Sequence, residues 1–200
     1  MAHPPRWFTD TGPDHSQWYV QRFRALAAQG ADLVGEARLV DALVAPGSHV
    51  LDAGCGTGRL AGELHHRGHR AVGADVDPVL LEACAADHPG PTWVEADLSE
   101  LDLPAAGIAE PFDAIVCAGN VMTFLAEGSE QEVLSRLRAH LAAQGRLVVG
   151  FGLDRGYPLG AFDEHCAGAG LVLEHRFATW DVRPFGPSSD FAVTVLAAAG

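Results

Sequence analysis

Apolar residues in this chain recur at two different periods, and the switches between them mark its elements. Near the N-terminus Tyr19, Phe23 and Leu26 fall at helical spacing, and after a break at Gly30 so do Leu33, Ala37, Val40 and Val44. His15-Ser16 and Asp32 stand where helix caps belong, so two helices are predicted ahead of the first strand. Short apolar runs follow around Val50, Val72, Val94, Ile115 and Val148, with helical segments around Leu64, Leu81 and Leu137 between several of them. Such alternation predicts parallel strands joined by crossover helices. The run Ala114 to Ala118 is apolar throughout, as a strand buried on both faces requires. Ser129-Glu130-Gln131-Glu132 reads as a capping box ahead of Leu134, Leu137 and Leu141. Leu171 to Thr179 and Phe191 to Leu196 read as strands with no helix between them, hence an antiparallel hairpin at one sheet edge.

The expected fold is therefore α/β, a doubly wound sheet of about seven mostly parallel strands with a C-terminal antiparallel hairpin, plus N-terminal helices. A single domain is expected over 1–200, with an arm and lid helices in 1–46, a ligand-binding core in 47–151, and substrate-side loops and the hairpin in 152–200. Residues 1–14 contain Pro and Gly without any period, so an arm is predicted there, anchored by Trp7 and Phe8.

The stretch from His49 to Gly58 combines an apolar strand, the carboxylate of Asp52 and glycines at 54, 56 and 58. Glycines let a strand-to-helix turn bend sharply and approach a ligand closely. Arg59 stands where a dinucleotide fingerprint needs its third glycine, and Arg59-Leu60 replaces the Lys-Ser/Thr of a P-loop. Asp52 would repel a pyrophosphate but suits an ammonium group. Ala71 to Asp75 is a second strand ending in a carboxylate, at about the 20-residue offset at which such folds bind ribose hydroxyls. A nucleoside that lacks phosphates and carries an amino acid meets both demands.

On these motifs the chain resembles the class I, Rossmann-like S-adenosylmethionine-dependent methyltransferases. Val50 to Gly58 is similar to their first motif, Gly73 to Pro78 to their ribose-binding strand end, Val94 to Leu98 to their adenine-contacting motif, and Phe112 to Asn120 to their fourth strand. The resemblance implies S-adenosyl-L-methionine as cofactor. It places Asp52, Gly54, Cys55, Gly56, Thr57 and Gly58 around the amino-acid end, Asp75 on the ribose, Val76, Asp97 and Leu98 at the adenine, and Gly119 and Asn120 at the fourth strand end. Asp77, ahead of Pro78, reads instead as a helix N-cap. The Asn/Asp-Pro-Pro-aromatic run of base-modifying amine methyltransferases is replaced here by Ala118-Gly119-Asn120-Val121-Met122, which counts against nucleic-acid bases.

Ligands of open α/β sheets bind at the carboxyl ends of parallel strands. If the sixth strand is parallel, the loop around Trp180 and Arg183 borders the acceptor pocket, with Met122 beside it and Trp18, Tyr19 and Phe23 as a lid. His15, Asp154, Tyr157 and Asp181 are candidate general bases. The expected activity is methyl transfer to a small-molecule acceptor by in-line displacement. The alternative is a catalytically silent domain that binds S-adenosylmethionine or S-adenosylhomocysteine.

Hydrophobic residues make up 48% and charged residues 20%, as a globular fold requires. Asp plus Glu number 26 against 13 Lys plus Arg, a formal net charge of −13, which repels a nucleic-acid partner. No apolar run reaches membrane-spanning length and no signal-peptide order opens the chain, so a cytoplasmic protein is expected. A monomer and a homodimer are both compatible with the sequence. Cys55, Cys84, Cys117 and Cys166 form no Cys-x-x-Cys pair, and both Cys55 and Cys117 read as small hydrophobes. No metal is expected, and His65, His66 and His69 read as an exposed helix end.

Overall fold

The computed structural model describes residues 4–200, so the start of the expected arm lies outside the described residues. Its elements are α1 (Arg6–Thr9), α2 (His15–Ala28), α3 (Gly35–Leu43), β1 (His49–Ala53), α4 (Arg59–His66), β2 (Arg70–Asp75), α5 (Pro78–Asp87), β3 (Thr92–Glu95), β4 (Phe112–Cys117), α6 (Glu130–Ala139), β5 (Leu141–Gly152), α7 (Leu159–Gly168), β6 (Leu171–Phe177) and β7 (Phe191–Ala198). Single 3-10 turns span Leu98–Glu100 and Val121–Thr123. No helix among the described residues is long and apolar enough to cross a membrane.

The strands form one seven-stranded sheet in the order β3-β2-β1-β4-β5-β7-β6. β1 to β5 are parallel, and β7 is antiparallel to both β5 and β6. The hairpin is present, and because β7 alone is reversed, β6 runs parallel to the rest and delivers the loop after Phe177 to the ligand edge.

Strand alternation sorts the core into two layers. Leu51, Ala53, Ile115, Cys117, Leu147 and Val149 face a cluster completed by Val133, Leu134 and Leu137 of α6 and Phe162 of α7. Val50, Ala114 and Val116 face the other way, onto Ala37 and Val40 of α3 and Leu60, Ala61 and Leu64 of α4. Both faces of β4 are covered, which accounts for its unbroken apolar run.

Some local expectations are corrected. α7 lies within the segment read as loops, where Phe162 and Cys166 bury one face of a helix whose glycines and acids blur the period. The capping box does not form, since the Ser129 hydroxyl donates to the Ala126 carbonyl (2.7 Å) and the Ser129 backbone is already helical. Ser16 caps nothing, because α2 opens one residue earlier and the Ser16 hydroxyl donates to Asp77. Asp32 accepts from the Val34 N–H at 3.2 Å and pairs with Arg38, one turn ahead of α3. His69 is buried, not exposed, with Nε2 2.9 Å from Asp41. Phe8 is 46% exposed and anchors nothing, whereas Trp7 is held firmly.

Candidate cofactor site

At the carboxyl ends of β1, β2 and β4 lies an open cleft of about 810 Å³, mouth included. Its floor is the turn between β1 and α4. Gly54, Gly56 and Gly58 all have positive φ (75°, 56° and 77°), which only glycine adopts without strain. They do different jobs. A Cβ on Gly54 would sit 2.4 Å from Val121, and one on Gly58 would sit 2.6 Å from Trp93 and 2.9 Å from the Cys84 sulfur, so these two glycines admit neighbouring side chains. Gly56 faces the cleft under Tyr19, and Gly119 (φ 69°) has open space where its Cβ would be, so there the backbone itself is available to a ligand.

Asp75 ends β2 and closes the turn. Its Oδ2 accepts from the Gly56 N–H (2.8 Å) and its Oδ1 from the Asp77 N–H (3.0 Å), while the carboxylate also lines the cleft. Burial pushes its pKa up to about 6, against the lowering effect of those bonds. A carboxylate offers about four acceptor positions, so these bonds leave Asp75 able to accept a further donor from the cleft. Val76 and Leu98 line the cleft, as does Asp97, whose Oδ1 takes both the N–H and the hydroxyl of Ser99. Asp97 therefore caps its own turn and leaves Oδ2 to the cleft side.

Asp52 sits elsewhere than expected. It shares the parity of Val50, so its side chain runs beneath the glycine turn toward α4, where Oδ2 accepts from the Ala61 N–H at 3.2 Å. It is 1% exposed and does not line the cleft, and its Oδ1 is buried without a partner. Burial pushes its pKa up to about 7, only partly countered by the nearby Arg59 guanidinium. Arg59 lines the cleft and is held by the Glu36 carboxylate (2.9 Å to Oε2) and the Leu33 carbonyl (2.5 Å). The Asp75 carboxylate at the cleft and the open approach to the Gly56 and Gly119 backbone fit a ligand that carries hydroxyl donors, as a ribose does, whereas Asp52 supports the turn from beneath.

Cys55 and Thr57 also line the cleft. The Cys84 thiol donates to the Gly56 carbonyl at 3.1 Å; the neighbouring Cys84 thiol and then burial raise the thiol of Cys55, and burial raises that of Cys117 to about 12, as inert cysteines require.

On the opposite wall only part of the sequence reading survives. Tyr19 lines the cleft, with its Cε1 3.5 Å from where a Gly56 Cβ would be. Trp18 is 52% exposed, under Arg22, and lies off the cleft. Phe23 packs on Tyr19 and Arg59, Met122 is buried in the core, and Trp180 fills the space above Gly150. Arg183 is exposed and pairs with Asp181. Asn120 adopts φ 66° and spends its Oδ1 on the Gly152 N–H (2.8 Å), fastening the end of β4 to that of β5. The four candidate bases do not line the cleft: His15 meets Trp7 edge to face and Trp18 at a tilt, Asp154 and Asp181 are exposed, and Tyr157 is buried against Phe151 with its hydroxyl 2.8 Å from His165. Among the described residues no group of His, Cys, Asp and Glu is placed to hold a metal.

The residues that complete this wall are Pro5, Trp7, Val121, Phe124 and Leu125, none assigned to the site from sequence. Trp7 meets Tyr19 and Phe124 edge to face, with centroids 5.4 and 5.6 Å apart. The one signal for it was a tryptophan in a segment with no helical face to bury it.

A family model described as a methyltransferase domain matches residues 50–145. A solved TehB-like S-adenosylmethionine-dependent methyltransferase from Corynebacterium glutamicum is 46% identical, over 94% of this chain and 100% of that one, with a TM-score of 0.87. Among curated proteins, the ribosomal protein L11 methyltransferase of Symbiobacterium thermophilum is 39% identical over 104 residues, half of this chain and 32% of its own length. The malonyl-[acyl-carrier protein] O-methyltransferase of Serratia marcescens is 32% identical over 94 residues, 47% of this chain and 36% of its own. The chain thus spans about a third of the length of these curated relatives.

Proposed function

This chain belongs to the class I S-adenosylmethionine-dependent methyltransferases, and from that premise we propose that it moves a methyl group from the cofactor to a small-molecule acceptor. The observation that carries this reading is the apolar, aromatic wall of Trp7, Tyr19, Val121 and Phe124 facing the glycine turn across a cleft of about 810 Å³. Such a wall suits a compact, partly apolar acceptor, and the net charge of −13 opposes a polyanion.

In this reading Asp75 holds the ribose, Val76 and Leu98 flank the adenine with Asp97 at its edge, and the Gly54–Gly56 backbone, which Asp52 supports from beneath, receives the amino-acid end. When bound, the cofactor supplies a methyl group on a sulfonium, open to in-line displacement by a lone pair of the acceptor. The protein's task is alignment and the exclusion of water, which the aromatic wall serves.

The test is a panel of amines, thiols, phenols and carboxylates, with a ribosomal-protein fraction alongside, incubated with methyl-labelled cofactor. Label in a small product is the expected outcome. Label in the protein fraction alone would replace the acceptor class. Tight adenosylhomocysteine binding with no turnover on any acceptor would favour the silent binding domain.

A further inference from the structure

We propose that Asp77 is a positioning residue that holds Trp7 across the cofactor cleft, and that release of this contact sets how fast the cofactor enters and leaves. The inference rests on the reading of the cleft as the cofactor site.

Asp77 is 1% exposed and receives more donors than an N-cap needs. Oδ1 accepts from the Val79 N–H at 2.9 Å, which is the capping bond of α5. Oδ2 accepts from the Trp7 indole Nε1–H at 2.7 Å and from the Ser16 hydroxyl, groups that lie 70 and 61 residues away in sequence. The Trp7 backbone N–H donates to the Phe124 carbonyl at 3.2 Å. The residue is therefore fixed at one end to the turn that carries Asp75 and at the other to the turn after β4, and its ring bridges the cleft between them.

Trp7 is the residue that seats this arm, since its ring also packs on Val20, Leu80 and Ala83 and meets Tyr19 and Phe124 edge to face. α1 is four residues long and buries none of its side chains. The Asp77 N–H donates to Asp75 Oδ1, so the latch and the ribose carboxylate belong to one hydrogen-bonded turn. A wall that bridges a cleft must open for a ligand to pass, and the few bonds that seat it set the fraction of time it is open.

A gate and a contact differ kinetically. Weakening a gate raises the open fraction of both the empty and the occupied protein, so association and dissociation speed up together while Kd stays nearly constant. Losing a direct contact raises only the dissociation rate. The test uses radiolabelled adenosylhomocysteine with rapid filtration on Trp7→Phe, which keeps the ring but loses the indole donor, and on Asp77→Asn, which keeps an oxygen for Val79. Both rate constants are expected to rise about tenfold in each variant, as loss of one charge-assisted hydrogen bond implies, with Kd changed less than about threefold. The double variant should add little, since both changes break one latch. Unchanged rates in Trp7→Phe, or a faster dissociation with unaltered association, would overturn the proposal. If wild-type protein fails to bind adenosylhomocysteine, the cofactor reading falls and not the latch alone.

Discussion

The two walls of the cleft are built on different principles. The cofactor wall is made from strand ends and one turn: Gly54 to Gly58, Asp75 and Asp97 lie close in sequence to the strands that carry them, and their positions follow from sheet register. The facing wall is assembled from Trp7 and Tyr19 of the N-terminal segment and Val121 and Phe124 after β4, brought together by contacts such as Trp7 to Asp77 that span much of the chain. The first wall is intolerant of change because backbone geometry has no alternative. The second is a set of side chains seated by a few bonds, so change there should alter rates and acceptor choice before it alters the fold.

The sharpest way to break this contrast is at Gly54. An alanine there would adopt φ near 75° and place its Cβ 2.4 Å from Val121. Left-handed strain and overpacking together should cost about 2–4 kcal/mol of stability. Cofactor binding should fail with it, as denaturant unfolding and calorimetry with adenosylhomocysteine would register. Adding Val121→Ala should recover the overpacking part only. Full recovery would mean that side-chain contact, not backbone conformation, governs this wall too.

Next in size is Asp75→Ala, which removes the acceptor for Gly56 and, in the proposed reading, for the ribose. A loss of about 1.5–3 kcal/mol in adenosylhomocysteine affinity is expected in a folded protein, the scale of charge-assisted hydrogen bonds. An unchanged Kd would move the ribose elsewhere along the strand ends.

The same contrast governs what could be read in advance. The glycine turn, Asp75, the Asp77 cap with Pro78 at the first helical position and the reversed last strand were legible, because each is a local rule about φ, parity or capping. Parity also held the correction for Asp52: it alternates with Leu51 and Ala53 and so had to point toward α4, beneath the turn and away from the cleft. Trp7 was legible as an anchor of the arm but not as part of the cleft, and Phe124 and α7 were not legible. Nothing local distinguishes Trp7 from Trp18, since both are aromatics near the N-terminus, and the contacts that draw Trp7 inward, to Asp77, Tyr19 and Phe124, are all with residues beyond its own helix.

Asp52 offers a smaller and pH-dependent effect. Its folded pKa of about 7 lies above the ordinary 3.8, so the folded protein keeps a proton that the unfolded chain releases between those values. The sign follows: the carboxyl costs nothing below the unfolded pKa, and its penalty grows as pH rises through about 7. Asp52→Asn cannot ionise, so its stability relative to wild type should rise between pH 5 and pH 8, on the order of 1–2 kcal/mol once water access is allowed for. Denaturant unfolding of both proteins at pH 5 and pH 8 measures this, and a stability difference that does not change with pH would overturn the reading of Asp52 as a carboxyl that folding keeps protonated.

The smallest effect is expected at Trp18, and its smallness is what makes it informative. Trp18 and Tyr19 are adjacent on α2, but helical geometry turns neighbouring side chains about 100° apart, so only one can face the cleft. Tyr19 does, over Gly56, whereas Trp18 is 52% exposed beneath Arg22. Exposed aromatics with one cation–π neighbour contribute about 0.5–1 kcal/mol at most. Trp18→Ala should therefore leave adenosylhomocysteine affinity and exchange rates within twofold of wild type, while Tyr19→Ala, which opens the cleft above the glycine turn, should weaken binding measurably. If Trp18→Ala changed the kinetics as much as Trp7→Phe, the arm would act as one aromatic cluster through His15, whose ring meets both tryptophans, and Trp7 would lose its distinction as the bridging residue.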